Sequence, residues 1–127
     1  MLREAKEYVG RQGPRYGGGV SAESVGSERL WFGRVTIGPG ERTKAHLHER
    51  HETAIYVLSG TAVVYSGPAL ATREDAGPGD YIYIPASVSH LALNPSTSVP
   101  TVAIIARTDP NEQESVVLQP ELDGRVP

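Results

Sequence analysis

The sequence contains no cysteine, which excludes disulfide bonds, thiolate catalysis and every zinc or iron–sulfur centre that needs a cysteine ligand. It also lacks a basic run, and its net charge of −3 at pH 7 indicates no surface for nucleic acid or for an anionic membrane. No apolar stretch approaches the ~20 residues that a helix needs to cross a bilayer. We therefore expect no nucleic acid and no membrane among the partners, and any metal site must use histidine, aspartate or glutamate.

The N-terminus is charged and lacks the apolar core of a signal peptide, so we expect a cytoplasmic protein: the first twelve residues read MLREAKEYVGRQ. At 127 residues, with 39% hydrophobic and 21% charged residues, the chain has the size and composition of one globular domain with a single core.

Glycine and proline divide the chain at short intervals, for example at residues 38–40, 67–68 and 77–79, and such clusters are turn signals. Between the turns lie short runs rich in β-branched and aromatic residues: 30–37, 54–58, 62–65, 81–84, 90–93, 101–106 and 115–118. Runs at this spacing predict an all-β sandwich or barrel.

The first 28 residues do not share this pattern. Residues 2–9 predict a helical turn or two that ends at Gly10, and residues 10–27, which include three successive glycines, predict an arm or loop that could extend against a neighbour. We therefore divide the chain into an N-terminal arm, 1–28, and a β-barrel domain, 29–127.

Three of the four histidines fall within the segment KAHLHERHET, residues 44–53, and the fourth, His90, begins a later predicted strand. His46 and His48 are two residues apart in an extended segment, so both rings project from one face. A short turn then folds either His51 or Glu52 back towards them. Because neutral imidazole binds transition metals, the pattern predicts a metal site that His90 completes.

Two segments resemble the sequence motifs of the cupin family. Gly40, five residues, His46-x-His48, three residues, Glu52 and then Gly60 resembles the first motif, and Gly79, five residues, Pro85, His90, three residues and Asn94 resembles the second. The resemblance implies a double-stranded β-helix (a jelly-roll barrel) that holds one divalent metal ion at its mouth, and it implies a homodimer.

Two positions depart from the family pattern. Ser87 stands where the second motif usually has glycine, which indicates a turn that tolerates a side chain. In addition, six residues usually separate the ligating glutamate of the first motif from the closing glycine, and counting back from Gly60 in this way reaches Thr53 instead of Glu52.

This second departure leaves two candidate ligand sets. If the strand alternates regularly from Thr53, His51 points inwards and the ligands are His46, His48, His51 and His90. If a β-bulge shifts the alternation, Glu52 replaces His51 and the site has three histidines and one glutamate. We favour His51 because it needs no bulge, and Glu52 then becomes a candidate acceptor for the N–H of a ligating histidine.

The resemblance and the all-histidine set together imply a metal-dependent enzyme. Four neutral imidazoles leave the full charge on the ion and favour Lewis-acid chemistry, and zinc is the favoured metal, with iron, manganese, nickel and copper as alternatives. The set resembles that of cupin-type polyketide cyclases, which implies cyclisation and aromatisation of a small aromatic or polyketide-like substrate. The alternatives are a cupin dioxygenase and a non-catalytic cupin that binds a small ligand.

Of the tyrosines on predicted strands (Tyr56, Tyr65, Tyr81 and Tyr83), one or two could line the pocket.

Overall fold

A computed structural model describes residues 1–3 and 6–127, and β-strands dominate it. The eleven strands are β1 Lys6–Val9, β2 Arg15–Val20, β3 Trp31–Ile37, β4 His46–Leu47, β5 Thr53–Ser59, β6 Ala62–Ser66, β7 Thr72–Ala76, β8 Tyr81–Ile84, β9 His90–Leu93, β10 Thr101–Arg107 and β11 Val117–Leu118. The short helices are α1 Ala22–Val25 and α2 Pro120–Asp123, with a 3₁₀ turn at Pro68–Leu70. Within the described ranges 1–3 and 6–127, no helix is long and apolar enough to cross a membrane.

The strands form two sheets, of six and five strands. Their orders are β1-β2-β3-β10-β5-β8 and β11-β4-β9-β6-β7, and every paired neighbour is antiparallel. The non-sequential order, with β10 between β3 and β5, is typical of a jelly roll. The predicted all-β fold, a double-stranded β-helix, is confirmed.

Alternation of side chains along the strands builds the core between the sheets. In β3 and β10, every second residue is buried, so Trp31, Val35, Ala103 and Ile105 pack together with Tyr16 of β2. A second buried cluster lies on the five-stranded sheet and contains Ala45, Leu70, Leu91 and Val126. The period of two in the sequence therefore separates buried from exposed side chains, as expected for strands.

The N-terminal region differs from the sequence prediction. The segment expected to be helical carries a strand at Lys6–Val9, whereas residues 4 and 5 of that segment lie outside the described residues. The glycine-rich stretch predicted as a loop contains β2, which pairs with β3 of its own chain. Its glycines permit this pairing at close range, because a Cβ at Gly19 would lie 2.7 Å from the Phe32 carbonyl oxygen. The division into an arm (1–28) and a barrel (29–127) stays a prediction.

Strand β7 also lacks the sequence signature of a strand. Its residues, TREDA, are mostly polar and exposed, and it pairs only with β6 at the end of the five-stranded sheet. Charged side chains on an edge strand prevent pairing with other chains, which explains both the composition and the missed prediction.

Candidate metal centre

All four histidines are buried in one cluster, which the pairing of β4 with β9 assembles. His46 lies directly opposite His90 in that pair, and His48 follows β4. The ring centroids of His46 and His90 are 4.1 Å apart, those of His46 and His48 are 4.9 Å apart, and those of His48 and His51 are 4.3 Å apart. The cluster therefore joins residues that are up to 44 positions apart in the sequence.

The ligand-type atoms of this cluster form two overlapping groups among the described residues. One contains His46, His48 and His90, and the other contains His48, His51 and Glu114; within each group these atoms lie within 4.8 Å of one another. His48 belongs to both. The geometry therefore places His51 beside His48 and a carboxylate.

Backbone carbonyl groups orient the three histidines of the first group. The Nδ1 atoms of His46, His48 and His90 lie 2.6, 2.9 and 2.9 Å from the carbonyl oxygens of Lys44, Ser115 and Val88, respectively. A carbonyl oxygen only accepts hydrogen bonds, so Nδ1 of each neutral ring carries the proton and Nε2 keeps its lone pair. Such a fixed tautomer is the usual arrangement of metal-binding histidines.

Burial keeps these rings uncharged at neutral pH. Loss of hydration lowers the pKa of His46 to about 3 and that of His90 to about 4, and it also lowers the pKa of His48. Metal binding requires neutral imidazole, so no proton has to be released from these rings near pH 7.

The residues around the turn after β4 face in the directions that regular alternation predicts. His51 and Thr53 are buried, whereas Glu52 is exposed. The pairing of β5 with β10 is regular from Thr53 to Val57, and its irregularity lies beyond Val57, at the far end of the strand. No bulge therefore turns Glu52 inwards. Which of these residues binds a metal stays a prediction.

The sequence analysis missed Glu114, which contributes the buried carboxylate of the cluster. Its Oε1 atom accepts a hydrogen bond from His51 Nε2 at 3.0 Å and lies 3.1 Å from His48 Nδ1. Its Oε2 atom lies 2.8 Å from Arg107 Nη1 and accepts a hydrogen bond from Gln12 Nε2 at 3.0 Å. Burial by itself would raise the pKa of Glu114, but the His51 hydrogen bond and the Arg107 guanidinium lower it to about 2. The carboxylate is therefore ionised.

A small cavity of about 70 Å³ adjoins the histidines inside the barrel. Its walls are mainly apolar, with Ile55, Ile84 and Ile105 among them, and its polar walls include Gln12, Tyr16 and Thr53. The Thr53 hydroxyl is buried without a hydrogen-bond partner, so it is available to a molecule in the cavity. The tyrosine that lines this cavity is Tyr16, and none of the four tyrosines expected from the predicted strands does so.

Some of these missed residues left a signal in the sequence and others did not. Counting back from Gly60 already placed Thr53 at the ligand position of the first motif, and its inward direction follows from that count. Glu114 and Gln12 lie in irregular segments outside both motifs, where neither spacing nor periodicity indicates which side chain turns inwards. Only the folded structure brings them to the histidines.

The donor atoms of the cluster fit a divalent metal ion. Three neutral imidazoles have fixed tautomers, and a buried carboxylate adjoins them, so this histidine–glutamate group could hold a metal ion. Imidazole suits zinc, iron, copper and nickel alike, and the ligand type therefore does not select one metal.

Comparison with solved structures supports the fold. The polyketide cyclase RemF from Streptomyces resistomycificus matches with a TM-score of 0.68 and 22% identity, over 92% of this chain and 75% of that chain. A protein from Thermus thermophilus matches with a TM-score of 0.58 and 29% identity, over 65% and 75% of the two chains. An uncharacterised protein with a double-stranded β-helix domain from Klebsiella pneumoniae matches with a TM-score of 0.68 and 17% identity, over 83% and 78%.

Comparison with protein families gives the same result. No curated protein matches the sequence. The profile of the family described as Cupin domain, however, matches residues 33–106, which is more than half of the chain and includes both histidine motifs. The chain belongs to the cupin family.

Proposed function

We propose that the protein is a metal-dependent enzyme in which His46, His48, His51 and His90 hold one divalent ion, with zinc favoured. The observation that carries the proposal is the buried trio of His46, His48 and His90, whose protonated Nδ1 atoms are all held by carbonyl groups. Such an ion polarises a carbonyl group and stabilises the negative charge that develops on its oxygen. His51 adjoins the trio, and as the fourth ligand it would exchange Glu114 for the ion at Nε2 and carry its proton on Nδ1, which lies 3.7 Å from Asp109 Oδ2.

The proposed reaction is cyclisation and aromatisation of a small aromatic or polyketide-like substrate. The resemblance of the histidine set to that of polyketide cyclases supports this choice. The chain itself would make two contributions. Its largely apolar cavity would exclude water, and the unpartnered Thr53 hydroxyl could donate a hydrogen bond to a substrate oxygen.

The size of the cavity limits how such a substrate binds. At about 70 Å³ it is much smaller than the ~300 Å³ at the lower end of common ligand sites. Gln12 closes part of it, held by a hydrogen bond from Lys44 N to the Gln12 carbonyl oxygen and by the side-chain bond to Glu114. We therefore propose that an aromatic substrate displaces Gln12 and places its reacting carbonyl group beside Thr53.

Elemental analysis combined with a turnover assay tests this function. We expect close to one zinc per chain, no oxygen consumption, and conversion of poly-β-ketone substrates to aromatic products that absorb in the near ultraviolet. Iron, manganese, nickel or copper together with oxygen consumption would instead support the second candidate, a cupin dioxygenase. Stoichiometric metal with ligand binding but no turnover would support a non-catalytic binding protein.

We also propose a homodimer, formed by the outer face of the six-stranded sheet. The outer face is defined here by two adjacent rows of cross-strand neighbours: Tyr81, Tyr56 and Ile104 in one, and Tyr83, Ala54, Ala106 and Phe32 in the other. Tyr81 is 83% exposed and Tyr83 is 61% exposed. Contiguous exposed aromatic side chains are typical of protein interfaces, which supports a second copy of the chain as the partner.

A further inference from the structure

Glu114 reaches the histidines from a segment that follows β10 and lies outside the family match. Arg107 holds this segment, because its Nη2 donates to the carbonyl oxygens of Asn111 at 2.6 Å and of Glu112 at 2.9 Å. Asp109 adds a second constraint, since its Oδ2 accepts a hydrogen bond from Ser115 N at 2.8 Å. The backbone on both sides of Glu114 is therefore fixed.

The Glu114 carboxylate is also held at both oxygens. Oε2 contacts Arg107 and Gln12, and Oε1 contacts His48 and His51. Arg107 is almost completely buried, and its guanidinium carbon lies 4.1 Å from the ring centroid of Trp31, so it keeps one position. A carboxylate in such a setting orients the groups that face it.

Besides accepting a hydrogen bond from His51, the Glu114 carboxylate lies 3.1 Å from the Nδ1 atom of His48, a member of the histidine trio. His46 and His90 each direct Nδ1 to a carbonyl oxygen two residues earlier in their own segment. His48 has no such local acceptor: its Nδ1 faces the Ser115 carbonyl and Glu114 Oε1, both from the segment after β10. The orientation of His48 therefore depends on a part of the chain that carries neither histidine motif.

We propose that Glu114 is a positioning residue of the metal centre: its Oε1, together with the Ser115 carbonyl oxygen, holds the Nδ1–H of His48 so that Nε2 would face an ion shared with His46 and His90. The proposal rests on the metal site of the proposed function. Carboxylates behind ligating histidines raise the basicity of the ring, and their removal typically weakens metal binding by ~10–100-fold.

The test compares three single variants, Glu114→Gln, Glu114→Asp and Glu112→Gln, with the wild-type protein. Glu112 lies two positions away in the same segment and contacts none of the histidines through its carboxylate among the contacts of the described residues, so Glu112→Gln is the matched control. Each protein is freed of metal, checked for its fold by circular dichroism, and titrated with Co²⁺ and Zn²⁺.

For Glu114→Gln we expect Co²⁺ and Zn²⁺ dissociation constants ~10–100-fold higher than those of the wild type and a shifted visible spectrum of the Co²⁺ protein. Glu114→Asp keeps the negative charge but moves it away from His48 by the length of one methylene group. Its dissociation constants should therefore lie between those of the wild type and those of Glu114→Gln. Glu112→Gln should match the wild type in both measurements.

Wild-type affinity and an unchanged Co²⁺ spectrum in folded Glu114→Gln would overturn the proposal. Complete loss of binding in that folded variant would also overturn it, because it would make Glu114 a direct ligand. Should Glu114→Gln fail to fold, the folded Glu114→Asp protein decides: Co²⁺ and Zn²⁺ dissociation constants above those of the wild type support the proposal, and unchanged constants overturn it. If the wild type itself binds no metal, the proposed function fails before Glu114 is tested.

Discussion

His48 occupies a central position at the scale of single residues, because it belongs to both groups of potential ligands. On one side lie His46 and His90, and on the other lie His51 and Glu114. His51 donates its Nε2–H to Glu114, so this nitrogen is free for an ion only after that hydrogen bond is exchanged. The number of histidines around the proposed ion would therefore depend on a competition between the metal and a carboxylate.

Replacement of His51 and of Glu52 separates the two ligand sets that the sequence allowed. We expect His51→Ala to lower the affinity for Zn²⁺ by more than ~100-fold, beyond the usual effect of a residue that does not touch the ion, and to abolish turnover. Glu52→Gln should keep the metal, because the Glu52 side chain is exposed. Metal content after dialysis measures both. Retention of metal by His51→Ala with its loss from Glu52→Gln would show that the ligands are three histidines and one glutamate.

The buried histidines also make the stability of the metal-free protein depend on pH. The pKa of His46 falls to about 3 and that of His90 to about 4 in the folded state, compared with about 6.5 when unfolded. The unfolded state therefore binds more protons between these values, and the free energy of unfolding should be greatest above about pH 6.5 and fall as the pH is lowered. Urea unfolding in the presence of a chelator, at about pH 7.5, 6 and 5, measures this. Equal midpoints at all three values would contradict it.

The turn between β8 and β9 shows how one element supports another. The motif glycines Gly40, Gly60 and Gly79 all have positive φ, which glycine adopts without steric cost. Ser87, which stands where the family usually has glycine, has a φ of 65° and so adopts the same left-handed conformation with a side chain. Its N–H donates to the His48 carbonyl oxygen at 2.6 Å, and its Oγ donates to the Glu49 carbonyl oxygen at 3.1 Å. These bonds attach the turn to the histidine-bearing segment.

Two substitutions at Ser87 separate the backbone strain from the hydroxyl bond. A left-handed non-glycine residue costs ~1–2 kcal/mol, and a hydrogen bond contributes ~1 kcal/mol. Ser87→Ala keeps the strain and loses the bond, so it should lower the free energy of unfolding by about 1 kcal/mol. Ser87→Gly loses the bond but relieves the strain, so it should be close to neutral. Urea unfolding of both variants checks this order, and a Ser87→Gly protein less stable than Ser87→Ala would contradict it.

At the scale of the whole molecule, the two faces of the six-stranded sheet differ in what they contact. Its inner face carries the core around Trp31 and part of the cavity wall, whereas its outer face presents the tyrosines of β5 and β8 to solvent. Tyr81 and Tyr83, two of the four tyrosines that the sequence offered as candidates for the pocket, thus lie on the outer face. The N-terminal strands extend this sheet within their own chain, with β1 at its edge, and a contact between the N-terminal segment and a second copy stays a prediction.

A charged residue in the centre of the outer face tests the proposed dimer. We expect Tyr83→Lys to raise the dimer dissociation constant by at least ~10-fold, because a lysine would be buried without a partner at the interface. Val99→Lys, at an exposed position in the loop before β10, should leave it unchanged. Sedimentation at micromolar protein measures both. A wild-type monomer, or a Tyr83→Lys protein that dimerises like the wild type, would contradict this interface.

The sequence by itself determined the features that depend on near neighbours in the chain. Runs of β-branched and aromatic residues between turn signals located β3, β5, β6, β8, β9 and β10 to within a residue or two, because strand and turn propensities depend on the local order of side chains. Regular alternation back from Thr53 also placed His51 inside and Glu52 outside. The pairing of His46 with His48 on one face likewise needs no more than their spacing.

Only the tertiary structure decided the features that depend on distant residues. Glu114 meets His51 across 63 positions, and no local pattern reports such a contact. Strand β2 forms because the buried Tyr16 and the closely approaching glycines meet β3, although its own sequence has little strand propensity. Strand β7 lies at the edge of the five-stranded sheet, where charged side chains prevent pairing with another chain. Its edge position is known only from the order of strands in the folded sheet. Local alternation therefore predicted the shared face of His46 and His48 and the direction of His51, whereas long-range pairing brought His90 to them and long-range packing supplied the carboxylate.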